Sequence, residues 1–286
     1  MINKKKELTM TSFYQLLKNM FKEKRKYVYL VLIVQVIAVM IFAILEFTNY
    51  KSAYFSPYLN TSVLSIRSVL FDNAVTTTFF ADIIFCGLMC WQNERENLSQ
   101  TWREAPISDT KFYFANVFSS IVGCIYIFLI QIVFGFLILF PSMNLMSTAI
   151  NNLLGVTQYS PPFIDRLLTM VLFLFLIATT IFVFVSFTNF VARTIVDFLP
   201  VKNTFWVRLL TMAILVIIAS YIFIQISTRF QNYVDNHFAA KSVSMIALSA
   251  DMSLNTTMLE FILIILVLGG INLVLFNKFI EAKIDK

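Results

Sequence analysis

Residues 112–140 read FYFANVFSSIVGCIYIFLIQIVFGFLILF, and none of these 29 side chains carries a charge. The uncharged stretch continues to Ile164, and a second one separates Arg166 from Arg193. A helix that crosses a membrane needs about 20 largely apolar residues, and a charge at its centre costs roughly 3 kcal/mol or more. Uncharged runs of this length therefore predict membrane-spanning helices.

The composition of the whole chain agrees with this prediction. Of its 286 residues, 59% are hydrophobic and 13% are charged, against about 45–50% and about 25% in soluble globular domains. A soluble fold of this length would lack the polar residues to cover its surface. The apolar runs are continuous rather than alternating, which argues against a transmembrane β-barrel. We therefore expect an all-α polytopic membrane protein with a single transmembrane domain over residues 1–286.

Charged residues mark the boundaries of six predicted membrane spans. The six spans cover roughly residues 28–47, 69–91, 113–140, 167–190, 207–227 and 259–277. If the N-terminus is cytoplasmic, the segments on that side carry 17 lysines and arginines, and the opposite segments carry five. Cytoplasmic segments of membrane proteins are enriched in these residues. The bias predicts that both termini are cytoplasmic, and a bacterial plasma membrane is the expected location.

Residues 1–27 precede the first span and predict an amphipathic helix in the membrane interface. Ser12 and Gln15 fit a capping box at the start of such a helix. Its apolar face would carry Phe13, Leu17, Met20 and Phe21, with the cations Lys18, Lys22, Lys24 and Arg25 elsewhere. These cations would lie near anionic lipid headgroups. The alternative is a solvated basic tail that only fixes the topology.

The sequence lacks the residue patterns of enzymatic and nucleotide-binding sites. It contains no G-x-x-x-x-G-K-[ST] loop for phosphate, and His237 is its single histidine, which argues against a histidine-based metal site. Glu94 and Glu96 have no histidine nearby and are more typical of a solvated pair. The net charge of +6 is concentrated in the first 26 residues, which argues against a nucleic-acid partner. We expect no catalytic residues, metal or cofactor on this chain.

Four polar side chains within the predicted spans are candidates for an intramembrane role. They are Asp82, Gln35, Gln131 and Gln225. A carboxylate such as Asp82 is a candidate proton relay or buried partner, because charges inside membranes are costly. Asp82, and Asp72 near the end of the same span, could instead face a water-filled interface between helices. The glutamines are more typical of hydrogen bonds between helices than of substrate ligands.

The predicted cytoplasmic loop 92–112 is short and densely charged. Residues from Glu94 to Glu104 can form about three helical turns, which Pro106 would end, and Ser108 could cap the following span. One face of this short helix would carry Leu98, Thr101, Trp102 and Ala105. An amphipathic helix in this place is a natural docking element for a soluble partner. The alternative is a solvated turn whose charges only fix the topology.

The pattern around this loop resembles the membrane subunit of ABC-2 type ABC transporters. An acidic residue at the end of the second span is followed by a polar helix, a Pro-Ile-Ser sequence and a lysine. The matching residues are Glu94, Glu96, Thr101, Pro106, Ile107, Ser108 and Lys111. The amphipathic N-terminal helix, the six spans and the cytoplasmic termini also fit this family.

The resemblance implies a transporter assembled from several chains. Two membrane subunits, identical or related, would pair in the bilayer and recruit two cytoplasmic ATP-binding subunits, which would hold ATP and Mg. Residues 94–105 would form the coupling helix, seated in a groove of the ATPase. The residues expected to couple are Glu94, Arg95, Glu96, Leu98, Thr101, Trp102, Arg103 and Pro106.

The composition of the chain indicates only a broad class of substrate. A bundle with 31 phenylalanines and few intramembrane charges suits export of a hydrophobic or amphipathic compound, such as a lipid, an antimicrobial peptide or a drug. One alternative is a membrane immunity or sensor protein that binds a ligand or partner without ATP-driven transport. Another is a proton-coupled secondary transporter that depends on Asp82.

Overall fold

Six long helices form the fold in the part of the chain that the structure describes. This structure is a computed structural model, and it describes residues 2–49, 65–99, 102, 107–140, 148, 163–198, 204–238 and 246–279. The helices are α1 (Ile2–Asn49), α2 (Ile66–Leu98), α3 (Asp109–Leu139), α4 (Phe163–Phe198), α5 (Thr204–Phe238) and α6 (Ile246–Phe279). Each is long and apolar enough to cross a membrane. The predictions of an all-helical fold and a multi-pass membrane protein are confirmed.

Several helices extend beyond the spans expected from hydropathy. Helix α2 continues to Leu98 rather than ending near residue 91, and α5 continues to Phe238. Helix α6 begins at Ile246, so much of the segment 228–258 is helical. Hydropathy locates the apolar part of a helix, whereas the backbone hydrogen bonds continue through polar turns that lack Gly and Pro.

Serines directly precede two helices, and one of them forms a capping box. Ser65 precedes α2, and its Oγ accepts the backbone N–H of Ser68 at 3.1 Å, while the Ser68 Oγ accepts the backbone N–H of Ser65 at 3.1 Å. This reciprocal pair is a capping box, which satisfies N–H groups that have no partner within the helix. Ser108 directly precedes α3, as expected for a residue that caps it.

Helix α1 is uninterrupted from Ile2 to Asn49. Lys24 is fully buried, and its Nζ donates to the Oγ atoms of Ser119 at 2.7 Å and Ser120 at 2.9 Å on α3. The expectation that Lys24 belongs to a lipid-facing set of cations is therefore wrong, because α3 supplies hydroxyl acceptors for its ammonium group. The interfacial position of residues 1–27 stays a prediction.

The internal contacts of the chain divide it into two compact units. The first, called here the N-terminal unit, comprises Leu17–Met89 and Phe118–Val171. The second, the C-terminal unit, comprises Met1–Leu16, Cys90–Val117 and Leu172–Lys286. Helices α1, α2, α3 and α4 contribute to both units.

Close packing and hydrogen bonds join α1, α2 and α3 in the N-terminal unit. A Cβ atom added to Gly123 on α3 would lie 3.4 Å from the Phe85 ring of α2, at the short end of ordinary van der Waals contact, so the two helices pack closely here. The hydroxyls of Tyr29 on α1 and Tyr126 on α3 are 2.9 Å apart.

An aromatic cluster forms the core of the C-terminal unit at one set of helix ends. The rings of Phe112 and Tyr113 on α3, Phe190 on α4 and Phe276 on α6 have centroids 5.7–6.1 Å apart in their contacting pairs. Asn272 on α6 donates to the Tyr113 hydroxyl at 2.9 Å and to the Val183 carbonyl at 2.8 Å. These contacts tie α3, α4 and α6 together.

We predict that the two serines beside Lys24 stabilise the N-terminal unit. The double substitution Ser119→Ala and Ser120→Ala removes two hydrogen bonds to a buried charge, and each such bond contributes about 1.5–3 kcal/mol. Thermal unfolding of the purified protein should therefore begin at a clearly lower temperature. Ser220→Ala, at an exposed position on α5, is the control and should leave the midpoint unchanged. An unchanged midpoint in the double variant would contradict the assignment.

Candidate functional site

The C-terminal unit holds a polar network centred on Glu94, near the end of α2. Ser186 on α4 donates from Oγ to Glu94 Oε1 at 2.6 Å, and Asn189 Nδ2, one turn further along α4, donates to Glu94 Oε2. Arg208 on α5 donates from Nη2 to the side-chain oxygen Oδ1 of Asn189. Glu94, Ser186, Asn189 and Arg208, called here the Glu94 network, connect α2, α4 and α5.

Opposite charges surround this carboxylate. The positive charges of Arg193 on α4 and Arg208 on α5 both act on Glu94. A carboxylate removed from water is costly unless hydrogen bonds and opposite charge compensate it. The Glu94 side chain therefore fixes the end of α2 against α4 and α5, rather than extending freely into solvent.

The turns of α2 around Glu94 also contact α3. Asn116 on α3 donates to the Asn93 carbonyl at 2.9 Å and to Asn97 Oδ1 at 2.8 Å. Gln92 donates to Glu96 Oε1 at 3.0 Å, and Glu96 is 1% exposed. Buried polar partners on α3 explain why α2 stays helical through a segment that hydropathy assigns to a loop.

The structure places the predicted coupling residues in two different environments. Glu94 is engaged with α4 and Glu96 is buried, whereas Arg95 is exposed and lies over the exposed Trp91 ring at 5.7 Å from its centroid. Leu98 and Trp102 are half-buried. Thr101, Arg103 and Pro106 lie outside the described residues. Their coupling role stays a prediction.

In the N-terminal unit, three of the four intramembrane candidates meet in one cluster. Gln131 on α3 uses its Nε2 to donate to Gln35 Oε1 on α1 at 3.2 Å and to Asp82 Oδ1 on α2 at 3.0 Å. Gln35 in turn donates from Nε2 to Thr78 Oγ1 on α2 at 2.8 Å. These residues, called here the Gln131 cluster, connect α1, α2 and α3. Gln225 is exposed on α5 and is not part of it.

Two cavities adjoin the Gln131 cluster within the N-terminal unit. One of about 240 Å³ lies between α1, α2 and α3, and Gln35, Thr78 and Gln131 are the polar residues of its wall. The other, about 510 Å³, is a groove between α1 and α2. Its polar residues are Gln35, Asn73, Thr76 and Thr77. Pockets that bind small ligands have volumes of about 300–1,000 Å³ and few polar groups, a description that fits the groove and not the smaller cavity.

Several polar residues of structural importance were not predicted from the sequence. Asn189 and Ser186 are spaced by three residues inside a predicted span, a pattern that places both on one helical face and could have indicated a partner helix. Glu260 on α6 was set at the edge of a span, and it is buried and accepts a hydrogen bond from Ser227 on α5 at 2.8 Å. Arg208 is one of the 17 lysines and arginines that predict the orientation of the chain. Its acceptor, Asn189, lies 19 residues earlier in the sequence, and only the fold brings the two side chains together.

Neither a metal-binding group among the described residues nor a similar known protein helps to interpret the site. Within the described ranges, no group of three or more His, Cys, Asp or Glu side chains could hold a metal ion. Comparison of the chain with protein families, characterised proteins and solved structures finds no match. The interpretation of the site therefore depends on its own residues.

We predict that Asn189 holds the Glu94 network together. Asn189→Leu removes both the donor to Glu94 and the acceptor for Arg208, and hydrogen bonds to charged groups contribute about 1.5–3 kcal/mol each. The variant should unfold at lower denaturant concentration than the parent protein. Asn277→Leu on α6 is the matched control, because Asn277 is exposed and its hydrogen bond to Thr110 is long, at 3.4 Å. Equal stability of the two variants would refute a central role for Asn189.

We also predict a graded effect of glutamine substitutions inside the membrane. Gln131→Leu disconnects three helices and removes a donor from Asp82, at a cost of about 1–2 kcal/mol for hydrogen bonds between membrane helices. Gln225→Leu replaces an exposed glutamine of the same kind and should cost much less. Unfolding in lipid–detergent mixtures measures both. If Gln225→Leu were as destabilising as Gln131→Leu, the cluster would not be a stabilising unit.

Proposed function

We propose that this chain is the membrane subunit of an ATP-driven ABC-2 type transporter, which exports a hydrophobic or amphipathic compound with the help of a separate ATPase. The chain would pair with a second membrane subunit, and it would not hydrolyse ATP itself. The observation that carries this proposal is the Glu94 network, because it lies beside the segment that resembles the coupling segment of this family.

A coupling helix has to transmit a movement of the soluble partner to several membrane helices. The segment that follows Leu98 is joined directly to α2, and α2 is held to α4 by Glu94. Asn189 then connects α4 to Arg208 of α5. A displacement of the segment would therefore act on three helices together, which is the mechanical requirement for coupling ATP hydrolysis to a rearrangement of the spans.

The docking surface itself would consist of exposed residues rather than of the two glutamates. Arg95 and Trp91 form an exposed cation–π pair on the last turns of α2. Arginine and tryptophan are enriched among residues that dominate protein–protein binding. Glu94 and Glu96 would instead position the end of the helix.

The proposed substrate class is supported by the walls of the N-terminal unit. The groove of about 510 Å³ between α1 and α2 is lined mainly by apolar side chains, including Val34, Phe42 and Phe80. Asn73, Thr76 and Thr77 add a few polar groups. Such a surface suits a molecule that combines an apolar body with a small number of hydrogen-bonding groups.

The first experiment is to purify the chain from its native membrane in mild detergent, after gentle crosslinking, and to identify the proteins that accompany it. A soluble subunit with a G-x-x-x-x-G-K-[ST] loop, at equal stoichiometry, would support the proposal. Recovery of the chain alone under several detergents would contradict it and favour an immunity or sensor protein.

We predict that Arg95→Ala and Trp102→Ala uncouple ATP hydrolysis from transport in the reconstituted complex. Arg95→Ala should keep the unfolding temperature of the parent protein, because Arg95 is exposed, whereas Trp102→Ala should lower it modestly, because it removes a half-buried ring. Transport per ATP hydrolysed should fall several-fold. Arg229→Ala, also at an exposed position but on the far half of α5, is the matched control and should retain coupling. Full coupling in both test variants would overturn the assignment.

The Gln131 cluster favours one other function, a proton-coupled secondary transporter. Asp82 accepts a hydrogen bond from Gln131 inside a span, and carboxylates in such positions often relay protons. Asp82→Asn keeps the acceptor oxygen, so the cluster should persist. If this variant abolished transport while ATP depletion at constant proton gradient did not, the proton-coupled mechanism would replace the ABC proposal.

A further inference from the structure

The tyrosine pair that joins α1 and α3 in the N-terminal unit lies beside an exposed arginine. The hydroxyls of Tyr29 and Tyr126 are 2.9 Å apart. The guanidinium of Arg25 lies over the Tyr29 ring, with its Cζ atom 5.7 Å from the ring centroid, and its positive charge also acts on the Tyr126 hydroxyl. Phe21 and Tyr29, two turns apart on α1, both contact the Tyr126 ring edge-on. Arg25 lies on the turn between them, so these rings hold the arginine and the hydroxyls close together.

The hydrogen bond between the two tyrosines leaves one proton unused. Each hydroxyl carries one proton and can also accept one. Either oxygen of the pair can be the donor, but the bond uses a single proton, so the accepting tyrosine keeps its own. Arg25 is exposed, and an arginine over a ring keeps the N–H groups at the edge of its planar guanidinium available. Several donors and a positive charge in one place fit an anion with more than one oxygen.

The position of these donors along α1 corresponds to the level of lipid headgroups. Residues 27–45 are uncharged, and at about 1.5 Å per residue they span about 28 Å, close to the roughly 30 Å of a bilayer core. Arg25 lies just outside this stretch, and Tyr29 lies just inside it. Arginine and tyrosine are both favoured at this boundary. The anion that reaches the donors is therefore expected to be part of a lipid.

Apolar surface continues from the donors toward the membrane centre. Ile33 lies one turn after Tyr29 on α1, Leu129 lies about one turn after Tyr126 on α3, and both are exposed. The two helices run in the same direction, since successive residues of α1 bond to successive residues of α3. Ile33 and Leu129 are therefore on the same side of the donors. An acyl chain can lie along them while its headgroup meets the donors, which a soluble anion cannot do.

Two lysines on the same face of α1 favour a headgroup with net negative charge. Lys18 and Lys22 precede Arg25 by seven and three residues, a spacing that places all three on one face, and all three are exposed. Glu23 is the only acidic residue among residues 17–29, and it lies about 160° around the helix from Arg25. A zwitterionic headgroup brings a cation that these charges repel, whereas an anionic headgroup is attracted.

We propose that Arg25, Tyr29 and Tyr126 bind the phosphate group of an anionic phospholipid such as phosphatidylglycerol. Arg25 donates to both non-bridging phosphate oxygens, and the accepting tyrosine donates its remaining proton to one of them. The acyl chains lie along Ile33 and Leu129. The site lies within the N-terminal unit and does not depend on the ATPase partner proposed above. It would exist equally in a transporter and in a sensor.

Lys26 provides a matched control for Arg25. Both cations are exposed, and each lies over a tyrosine ring, Lys26 over Tyr27 with its Nζ atom 5.1 Å from the centroid. Arg25→Gln and Lys26→Gln therefore remove the same charge at nearly the same depth, together with the same kind of ring contact. They differ in that Arg25 lies over a member of the hydroxyl pair and Lys26 does not.

The experiment is native mass spectrometry of the full chain in detergent, titrated with phosphatidylglycerol and with phosphatidylcholine of the same acyl chains. We expect the first phosphatidylglycerol to bind at least about tenfold more tightly than the first phosphatidylcholine. Its affinity should fall at least about fivefold in Arg25→Gln and about threefold in the double variant Tyr29→Phe and Tyr126→Phe, because hydrogen bonds to a charged group are lost. Lys26→Gln should change it less than about twofold. Equal binding of the two lipids, or equal losses in Arg25→Gln and Lys26→Gln, would overturn the proposal.

Two further measurements test the contact with the phosphate and the nature of the ligand. Arg25→Lys keeps the charge and loses the two-pronged contact, so its affinity should lie between those of the parent protein and Arg25→Gln. Affinity equal to that of the parent would contradict the contact with two oxygens. Glycerol phosphate at millimolar concentration should leave the bound lipid in place, because it has no acyl chains. Displacement of the lipid at that concentration would identify a site for soluble phosphates and overturn the lipid assignment.

Discussion

A bilayer core contains no water, so each polar side chain buried there needs a partner on the protein. Threonines such as Thr76 and Thr179 bond to carbonyls of their own helix, whereas the larger amide and carboxylate side chains find partners on other helices. Asn272 of α6 bonds to α3 and α4, Gln131 of α3 bonds to α1 and α2, and Glu94 of α2 bonds to α4. Apolar packing alone distinguishes poorly between helix pairings, because lipid tails are as apolar as leucine side chains. The polar residues therefore specify which helices associate, and in which register.

The fold can be predicted from the sequence because charged side chains are rare in the bilayer core. Six apolar runs predict six membrane-spanning helices, and the structure has six helices that are long and apolar enough to cross a membrane. The helix ends are harder to predict, since hydropathy reports where a helix meets water and not where its backbone bonding stops. Helix α2 illustrates this difference. Its last turns are polar, yet Asn93 and Asn97 are 2% and 0% exposed, because α3 supplies their partner.

The sequence predicts individual residues of the candidate sites, but not which of them meet in the fold. Asp82, Gln35 and Gln131 stand out in a sequence because polar groups are rare in spans, but their meeting depends on the relative register of three helices, which no local pattern encodes. The resemblance to ABC-2 membrane subunits implied that Glu94 contacts a soluble partner. In the fold it contacts Ser186 and Asn189 instead. An acidic side chain beside a span can be hydrated by solvent or can bond to a partner helix, and the sequence does not distinguish these two environments.

The burial of Lys24 has a consequence for biosynthesis. Its acceptor Ser119 lies 95 residues later in the chain, and chains are made at about 5–20 residues per second. The ribosome therefore needs about 5–20 seconds after Lys24 to produce its serine partners, and α1 must spend that interval without them. Lipid headgroups or the insertion machinery have to accommodate the ammonium group until α3 arrives. The final docking of α1 is thus a late event of assembly, and a chain truncated before α3 would keep α1 in its provisional position.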